Sequence, residues 1–424
     1  MPDVSTIGAV LNLFGAGSKS GTKVPLTTDK TLSLADRAAD AQKVGEALDK
    51  KADKIHENLL TGSVSGAAIS IDDAFGAPML GLHVYGKSTQ DSAPTPTVPV
   101  PITSAGSGGT VTVRLTGENL LNPSLFQDGR YQNFDGASAN YGIAANDNYW
   151  ITGLQTCVPG TAYHVNRVFA GGCFYDEAQR PLGAISVGES FRTPTRCGYF
   201  CLNFEKSAVA FDAQVAVALG DAIYAPYAEQ TLTLQTPNAL LGIPVTSGGN
   251  YTDENGQQWV CDEVDLTRGV YVQRITKIKL TSSMGWNTAN SKLVDRYYAA
   301  FKGISMVGMF CTHFSLSTSF EIVGGMTVNL GNIGFAYAEK GTTTVSDFKA
   351  FLDANDVYVW AALAAPVETA LSSVEIAAYK ALTTYAPTTV ISVSDGAGAT
   401  ATYQRDVNIV VKALEDAIAS MTTH

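Results

Sequence analysis

The sequence contains little cysteine and histidine for its length. Its 424 residues include six cysteines, none of them in a C-x-x-C pair, and five scattered histidines. No segment has the H-E-x-x-H or G-x-S-x-G spacing, so the sequence predicts no metal site, no catalytic residue and no cofactor. We expect buried free thiols in a reducing cytoplasm, with a Cys197/Cys201 or Cys157/Cys173 disulfide as the alternative.

Positive charge and long apolar runs are also scarce. The chain has 28 Lys and Arg against 39 Asp and Glu, a formal net charge of −11, and so lacks the broad basic surface that nucleic acid requires. The longest apolar run, 357–367, contains a proline and is far shorter than the roughly 20 residues of a membrane-spanning helix. No basic residue precedes the apolar stretch 7–14, which argues against a signal peptide. We therefore expect neither nucleic-acid binding nor membrane insertion.

Both ends of the chain carry helical patterns with a narrow apolar stripe. A capping box at 33–36 precedes apolar residues spaced three or four apart, and a second stripe after Thr402 falls on heptad a and d positions. Stripes this narrow are buried best between copies of the same chain, so we expect coiled coils. For the N-terminal helix, the alternative is a helix that lies on the surface of a domain. The predicted oligomerisation residues are Ala41, Val44, Leu48 and Ile55 in the first helix and Val407, Val410, Leu414, Ala417 and Met421 in the second.

The middle of the chain changes to the period-two alternation of β-strands. Alternating segments at 110–115, 231–234 and 277–280 predict half-buried strands. Asn255-Gly256 and Asp395-Gly396 each stand between two strand-like segments and predict hairpins. Two short helices are predicted within the β region, at 346–353 and, after the capping box Ser372-x-x-Glu375, at 373–382.

These patterns predict a mainly β protein in which tandem, jelly-roll-like β-sandwich modules are carried on a β framework. A weak duplication, 225–232 and 365–371, supports two inserted modules. The predicted segments are 1–62 for an N-terminal anchor and coiled-coil helix, 63–121 for a β segment and Pro-rich connector, 122–229 for a carbohydrate-binding-like β-sandwich, 230–281 for framework with a hairpin, 282–400 for a second β-rich module with short helices, and 401–424 for a C-terminal helix.

Four parts of the sequence point to one known family. They are Ala365–Ser373 with Ala378–Tyr385, Gly242–Val245 with Asn250–Trp259, Pro94–Ile102 leading to Gly117–Leu121, and Leu32–Asp36 with Ala38–Ala41. They resemble tail, baseplate and fibre proteins of bacteriophages and prophages of Gram-positive and gut bacteria. The resemblance implies an elongated, non-enzymatic homotrimer of the virion, assembled in the host cytoplasm. Its N-terminal region would contact other phage structural proteins, and it would link the tail to host cell-surface polysaccharide.

Within that resemblance, the segment 122–224 is similar to β-sandwich carbohydrate-binding modules. Sugar rings pack on aromatic planes while amide, carboxylate and guanidinium groups bind hydroxyls, and the polar loop 145–148 runs into Tyr149 and Trp150. Because Tyr149 and Trp150 alternate across a strand, the alternative is that at least one fills the core. The predicted carbohydrate-binding residues are Asn146, Asn148, Tyr149, Trp150, His164, Arg167 and Tyr175.

Two further groups of polar residues that could take part in catalysis or metal binding are interpreted as structural. Asp262, Glu263 and Asp265 could serve a glycosidase, but adjacent strand residues point to opposite faces and Arg268 lies close in sequence, so we expect a solvated strand edge. Cys311-Thr312-His313 is expected to belong to the core. The predicted function is host-glycan adhesion by a structural virion protein; the alternatives are a purely structural protein, such as a capsid-attached head fibre, and a glycan-degrading tail spike.

Overall fold

We describe a computed structural model of the chain. It describes residues 57–60, 67–134, 141–176, 179–211, 213–219, 224–253, 256–319, 321–329, 331–394 and 396–422. All of them lie in the compact unit Lys54–His424. Strands account for 50% of the structure and helices for 9%, so the mainly β prediction is confirmed.

The first half of the described chain forms short strands. They are β1 (Glu57–Leu60), β2 (Ala67–Asp72), β3 (Gly81–Tyr85), β4 (Ser88–Thr89), β5 (Thr103–Ser104), β6 (Thr110–Thr116), β7 (Gln127–Gln132), β8 (Ile143–Ile151), β9 (Gln155–Thr156), β10 (Ala162–Phe169), β11 (Gly172–Tyr175), β12 (Pro181–Ile185), β13 (Gly188–Arg192), β14 (Tyr199–Glu205), β15 (Val217–Ala218) and β16 (Glu229–Gln235). A 3₁₀ turn, Pro123–Leu125, precedes β7.

The second half adds further strands and three helices. The strands are β17 (Gly242–Val245), β18 (Tyr251–Thr252), β19 (Gln258–Cys261), β20 (Glu263–Asp265), β21 (Val270–Lys279), β22 (Asn287–Ala289), β23 (Val294–Ala300), β24 (Ile304–Cys311), β25 (Ser315–Leu316), β26 (Gly325–Asn329), β27 (Asn332–Glu339), β28 (Tyr358–Ala370), β29 (Thr388–Val393) and β30 (Gly398–Thr402). The helices are α1 (Val345–Ala354), α2 (Ser373–Lys380) and α3 (Val407–Thr422).

Two facing sheets form the framework. One has the strand order β1-β30-β3-β20-β21-β28-β24 and the other the order β16-β6-β29-β2. Alternate residues of both sheets point into one core, with Val84 and Val264 from the first and Val113 and Ile391 from the second. Tyr379 of α2 packs against the same core.

The first long insertion leaves and rejoins the framework through paired strands. β6 and β16 are antiparallel neighbours along their whole length, from Glu229↔Thr116 to Gln235↔Thr110. The chain between them forms two further sheets, β12-β11-β14-β8-β7 and β13-β10-β15. Trp150 and Phe200 from the first and Tyr163 and Phe191 from the second share one core, so this part is a β-sandwich.

The second insertion is organised differently. β21 and β28 pair down to Lys279↔Tyr358, and between them lie the sheet β22-β23-β27-β26-β25 and helix α1. Phe335 of that sheet and Phe348 of α1 pack in one core with Cys311 of β24 and Val359 of β28. Since β24 and β28 belong to the framework sheet, the second module takes one layer of its core from the framework.

One of the two predicted hairpins is confirmed and one is wrong. β18 pairs with β19 on either side of the predicted Asn255-Gly256 turn, of which Asn255 lies outside the described residues. The strands on either side of Asp395-Gly396 do not pair, because β29 lies between β6 and β2 while β30 lies between β1 and β3. Ile391 and Ala399 enter the framework core from opposite sheets, so the chain passes from one sheet to the facing one between β29 and β30.

The short helices begin where the sequence predicts. Thr344 and Ser372 each accept a backbone N–H of the first turn, and Asp347 and Glu375 complete the two capping boxes. α3 confirms a helix near the C-terminus, with the Val407 side chain 68% exposed, while its association into a coiled coil stays a prediction. The predicted N-terminal residues Ala41, Val44, Leu48 and Ile55 lie outside the described residues. Among the described helices, none combines the length and apolar character needed to cross a membrane.

Candidate functional site

The polar loop singled out in the first module is a large bulge in strand β8. Between the partners Asp128↔Trp150 and Arg130↔Ala145, the single residue Gly129 of β7 faces residues 146–149 of β8. Gly129 has φ +65°, and a Cβ there would lie 3.2 Å from Oδ1 of Asp147, so a glycine suits the crossing point. The bulge therefore turns polar side chains outward beside the sheet.

Two tyrosine rings lie next to this bulge. The rings of Tyr131 on β7 and Tyr149 on β8 meet edge to face with centroids 4.8 Å apart, and Phe134 lies 6.1 Å from Tyr131. All three side chains are half-buried. We call Tyr131, Tyr149 and the bulge 146–148 the tyrosine ledge.

Hydrogen bonds fix the polar part of the ledge. The backbone N–H of Asn148 donates to the Asn146 side chain at 3.1 Å, and the backbone N–H of Lys206 donates to the Asn148 carbonyl at 2.9 Å. The Lys206 ammonium lies 2.6 Å from a carboxylate oxygen of Asp128, and this hydrogen bond lowers the pKa of Asp128. The ledge thus combines aromatic rings with two amides, and a backbone hydrogen bond ties it to Lys206.

Burial removes Trp150 and Tyr175 from the predicted carbohydrate-binding set. Trp150 is fully buried, stacks on Phe204 with centroids 4.5 Å apart, and donates from Nε1 to the Val209 carbonyl at 2.9 Å. Tyr175 is buried on the other face of the same sheet and donates to Oε1 of Gln132 at 2.7 Å. Neither ring presents a face to solvent, so both are core residues.

His164 and Arg167 are exposed but belong to the other sheet of the sandwich. Both lie on β10, where the neighbouring residues Tyr163 and Val165 point into the shared core. Their side chains therefore face outward from the sheet opposite the one that carries Tyr149. The structure keeps Asn146, Asn148 and Tyr149 together and separates His164 and Arg167 from them.

A cavity that the sequence did not indicate lies where the first module joins the framework. It measures about 310 Å³ and is lined in part by Phe126, Phe211, Tyr224 and Tyr227. Its buried amide, Asn119, donates to the Val215 and Ala225 carbonyls and accepts the N–H groups of Leu121 and Val217. All four hydrogen-bonding positions of that amide hold the chain together, which leaves none to bind a ligand.

The expected solvated edge at Asp262, Glu263 and Asp265 is wrong, because β20 is an interior strand between β3 and β21. All three carboxylates are buried. Val264 points into the framework core, so Glu263 and Asp265 point to the opposite face, where His83 of β3 joins them. Sequence spacing shows the three acids but gives no sign that His83 joins them, because β3 and β20 come from distant parts of the chain.

Each carboxylate of this charged cluster has defined partners. Oε1 of Glu263 lies 2.7 Å from Nδ1 of His83, and Oε2 lies 2.7 Å from the Arg274 guanidinium. Asp265 lies 3.7 Å from the Arg268 guanidinium and 3.9 Å from Nε2 of His83. His83, Glu263 and Asp265 bring three potential ligand atoms within 4.8 Å, but cationic side chains already neutralise both acids. The arrangement fits an ion-pair network better than a metal centre.

Asp262 accepts hydrogen bonds without a paired cation. The backbone N–H groups of Arg274, Ile275 and Leu241 and the Tyr271 hydroxyl donate to its two oxygens at 2.7–3.2 Å. Burial nevertheless raises the pKa of Asp262 to about 6. Asp262 lies between β19 and β20, and its oxygens tie this junction to β21 and to the residue before β17, which is a structural role.

The cysteines and His313 are core residues, as the sequence predicts. All six thiols are free and buried. His313 is buried beside Phe351, with its Nδ1 2.8 Å from the Thr312 hydroxyl, and burial lowers its pKa. Comparison of the chain with protein-family models, with curated proteins and with solved structures finds no match.

Proposed function

We propose that the chain is a structural component of a phage virion, such as a tail fibre, baseplate protein or surface appendage, that adheres to host cell-surface glycans. The proposal places it in the assembled particle, joined through its N-terminal region to other phage structural proteins. It rests on the family resemblance of several segments and on one structural observation. That observation is the tyrosine ledge, where half-buried aromatic rings adjoin two amides on an outer face of the β-sandwich.

The ledge has the chemistry that a sugar ring needs. The C–H face of a pyranose packs against aromatic rings, and hydroxyls exchange hydrogen bonds with amides such as those of Asn146 and Asn148. An open surface of this kind binds one sugar weakly. Several copies on one particle would raise the avidity by about 10² to 10⁴ without any new contact.

We further propose that the terminal helices join three chains. The heptad stripe of α3 begins at Val407, whose side chain is 68% exposed, and Val411, which lies beside the predicted stripe, is 43% exposed. Exposed valines on a helix of this length favour burial against sister helices. A trimer would present three ledges together, which is what multivalent adhesion requires.

Glycan binding by the intact protein tests the adhesive role. Tyr149→Ala should lower the signal on a glycan array at least tenfold, because the variant removes one of the two tyrosine rings of the ledge. Tyr298→Ala, which removes a half-buried tyrosine from the second module, should leave the signal unchanged. Equal binding by wild type and Tyr149→Ala would exclude the ledge as the site.

The same assay separates the alternative functions. A correctly assembled trimer that is present in the virion but binds no glycan would indicate a purely structural protein, such as a head fibre. Release of reducing sugar from host cell wall by the intact protein would instead support a glycan-degrading spike. Binding without sugar release is the result that we expect.

Mass in solution tests the oligomer. The double variant Val407→Asp/Leu414→Asp should weaken association, because it places carboxylates in the proposed seam of α3. Asn408→Asp/Lys412→Asp adds carboxylates at exposed positions outside the seam and should keep the wild-type mass. Light scattering over a concentration series measures both. A wild-type protein that remains a single chain at micromolar concentration would contradict the trimer.

A further inference from the structure

Two cysteines of the first module lie with their sulfur atoms in contact. Sγ of Cys157 is 3.4 Å from Sγ of Cys197, and both side chains are fully buried. Cys157 directly follows β9, and its N–H donates to the Gly198 carbonyl at 3.1 Å. Cys197 ends a turn before β14, the strand that pairs with β9. The sheet itself therefore holds the two sulfurs together.

The two thiols have different chemical character. The Cys157 thiol donates its hydrogen to Cys197, and this hydrogen bond lowers the pKa of Cys197. Burial and the neighbouring sulfur raise the pKa of Cys157. Cys197 is therefore the sulfur that becomes a thiolate first, and the thiolate is the nucleophile in disulfide exchange.

We propose that Cys157 and Cys197 form a disulfide when the protein leaves the reducing cytoplasm. A disulfide requires the sulfurs to close from 3.4 Å to about 2.05 Å. Small side-chain rotations cover that difference, because the backbones on both sides are already paired. The sequence alone left Cys157 with Cys173 and Cys197 with Cys201 as the alternatives, whereas the structure pairs Cys157 with Cys197.

A small-molecule disulfide, such as oxidised glutathione, supplies the oxidising equivalents. The Cys197 thiolate attacks one sulfur of the oxidant, its S–S bond breaks, and one small thiolate leaves. The Cys157 thiolate then attacks the Cys197 sulfur of the mixed disulfide and releases the second small thiolate. The two protein thiols lose two electrons to the oxidant, and their two protons pass to the released thiols.

Access to Cys197 requires only a local opening. Residues 194–196 form the turn before it, and Thr195 and Arg196 are exposed. Movement of this turn would expose the Cys197 sulfur while the sandwich core stays intact.

A second cysteine pair in the same module serves as a matched comparison. Cys173 and Cys201 are direct register partners on β11 and β14, and both are buried. The Cys173 thiol instead donates to the Phe174 carbonyl at 3.3 Å, and burial raises the pKa values of Cys173 and Cys201 to about 11 and about 12. We expect this pair to stay reduced under the same conditions.

The bond would stabilise the module that carries the tyrosine ledge. The two cysteines lie 40 residues apart, so the closed loop contains β10 to β13. A loop of this size restricts the unfolded chain enough to raise the unfolding temperature of the module by about 10 °C. This effect does not depend on glycan binding.

The test uses the full chain. Protein purified with a reductant, desalted and incubated with oxidised glutathione should lose two of its six titratable thiols, and peptide mapping should join Cys157 to Cys197. The unfolding temperature should rise and return to its starting value after reduction. Cys197→Ser should abolish the bond, while Cys201→Ser should still form it.

Several results would overturn the proposal. They are six titratable thiols after prolonged exposure to the oxidant, a bond between Cys173 and Cys201, or a stable mixed disulfide with no internal bond. Because the thiol count and peptide map come from the wild-type protein, they remain informative if a serine variant fails to fold. Retained glycan binding with no Cys157–Cys197 bond would contradict this modification and leave the adhesive function standing.

Discussion

Glu263→Gln should lower the free energy of unfolding by about 3 kcal/mol. Its carboxylate lies 2.7 Å from both the His83 ring and the Arg274 guanidinium on an interior strand of the framework sheet. The substitution keeps the size of the side chain and removes its negative charge. The largely buried Arg274 guanidinium therefore loses its charged partner. Removing one partner of a buried ion pair lowers the stability of the fold far more than removing one partner of a solvent-exposed pair. Urea unfolding at neutral pH measures the difference.

Glu368→Gln is the matched control. Glu368 also pairs with an arginine, Arg268, at 2.7 Å, but both side chains are about half exposed. Solvent screens that pair, so its removal should change stability little. Equal losses from the two substitutions would mean that burial adds nothing to the Glu263 pairs.

The pH dependence of the Glu263→Gln deficit has a defined sign. Burial alone would raise the pKa of Glu263, but the hydrogen bond with His83 and the charge of Arg274 outweigh burial and lower it. A carboxyl group with a lowered pKa stabilises the fold above its unfolded pKa and loses that contribution as the pH falls. The deficit should therefore be full at pH 7 and shrink below about pH 4.

The pH dependence of stability that Asp262 contributes has the opposite sign. Burial raises its pKa to about 6, so the folded state binds a proton more readily than the unfolded chain does. Its favourable contribution is present below about pH 4 and is lost as the pH rises to about 6. The free energy of unfolding of wild type and of Asp262→Asn, measured from about pH 4 to about pH 6, tests this. The contribution of Asp262 should fall as the pH rises, whereas that of Glu263 should not.

Local patterns predicted the parts of the fold that depend on neighbouring residues. The alternation at 110–115 gave β6, and the capping boxes at Thr344 and Ser372 mark the starts of α1 and α2. In each case a few consecutive residues contain the whole physical signal. The hairpin predicted at Asp395-Gly396 shows the limit, because a turn signal in the sequence does not determine whether the next strand joins the same sheet or the facing one.

The charged cluster and the cysteine pair were not predictable in this way. His83 meets Glu263 from a strand 180 residues away, and Cys157 meets Cys197 across 40 residues. Their contacts depend on the order of strands in a sheet, which a single sequence does not encode locally. The predicted glycan-binding residues fall between these cases. Asn146, Asn148 and Tyr149 are close in the structure because they are neighbours in sequence. Whether Trp150 points into the core or outward could be known only from the fold.

Because the Trp150 side chain points into the core and the Tyr149 side chain points outward, we expect substitutions at these adjacent residues to affect different properties, stability at Trp150 and glycan binding at Tyr149. Trp150→Ala should lower the free energy of unfolding by about 4 kcal/mol, because it removes a fully buried ring that stacks on Phe204 and leaves the Val209 carbonyl without its donor. Tyr149→Ala removes a half-buried ring from the outer face and should cost about 1 kcal/mol or less. Denaturant unfolding measures both variants.

Binding assays make the contrast decisive. Tyr149→Ala should lose glycan binding while its unfolding midpoint stays near that of wild type. Trp150→Phe keeps an aromatic ring in the core, so it should lose less stability than Trp150→Ala and should retain binding wherever the module is folded. A Tyr149→Ala variant as unstable as Trp150→Ala would mean that Tyr149 is also a core residue. The ledge would then keep only the Tyr131 ring, and the proposed two-ring site for a sugar would be excluded.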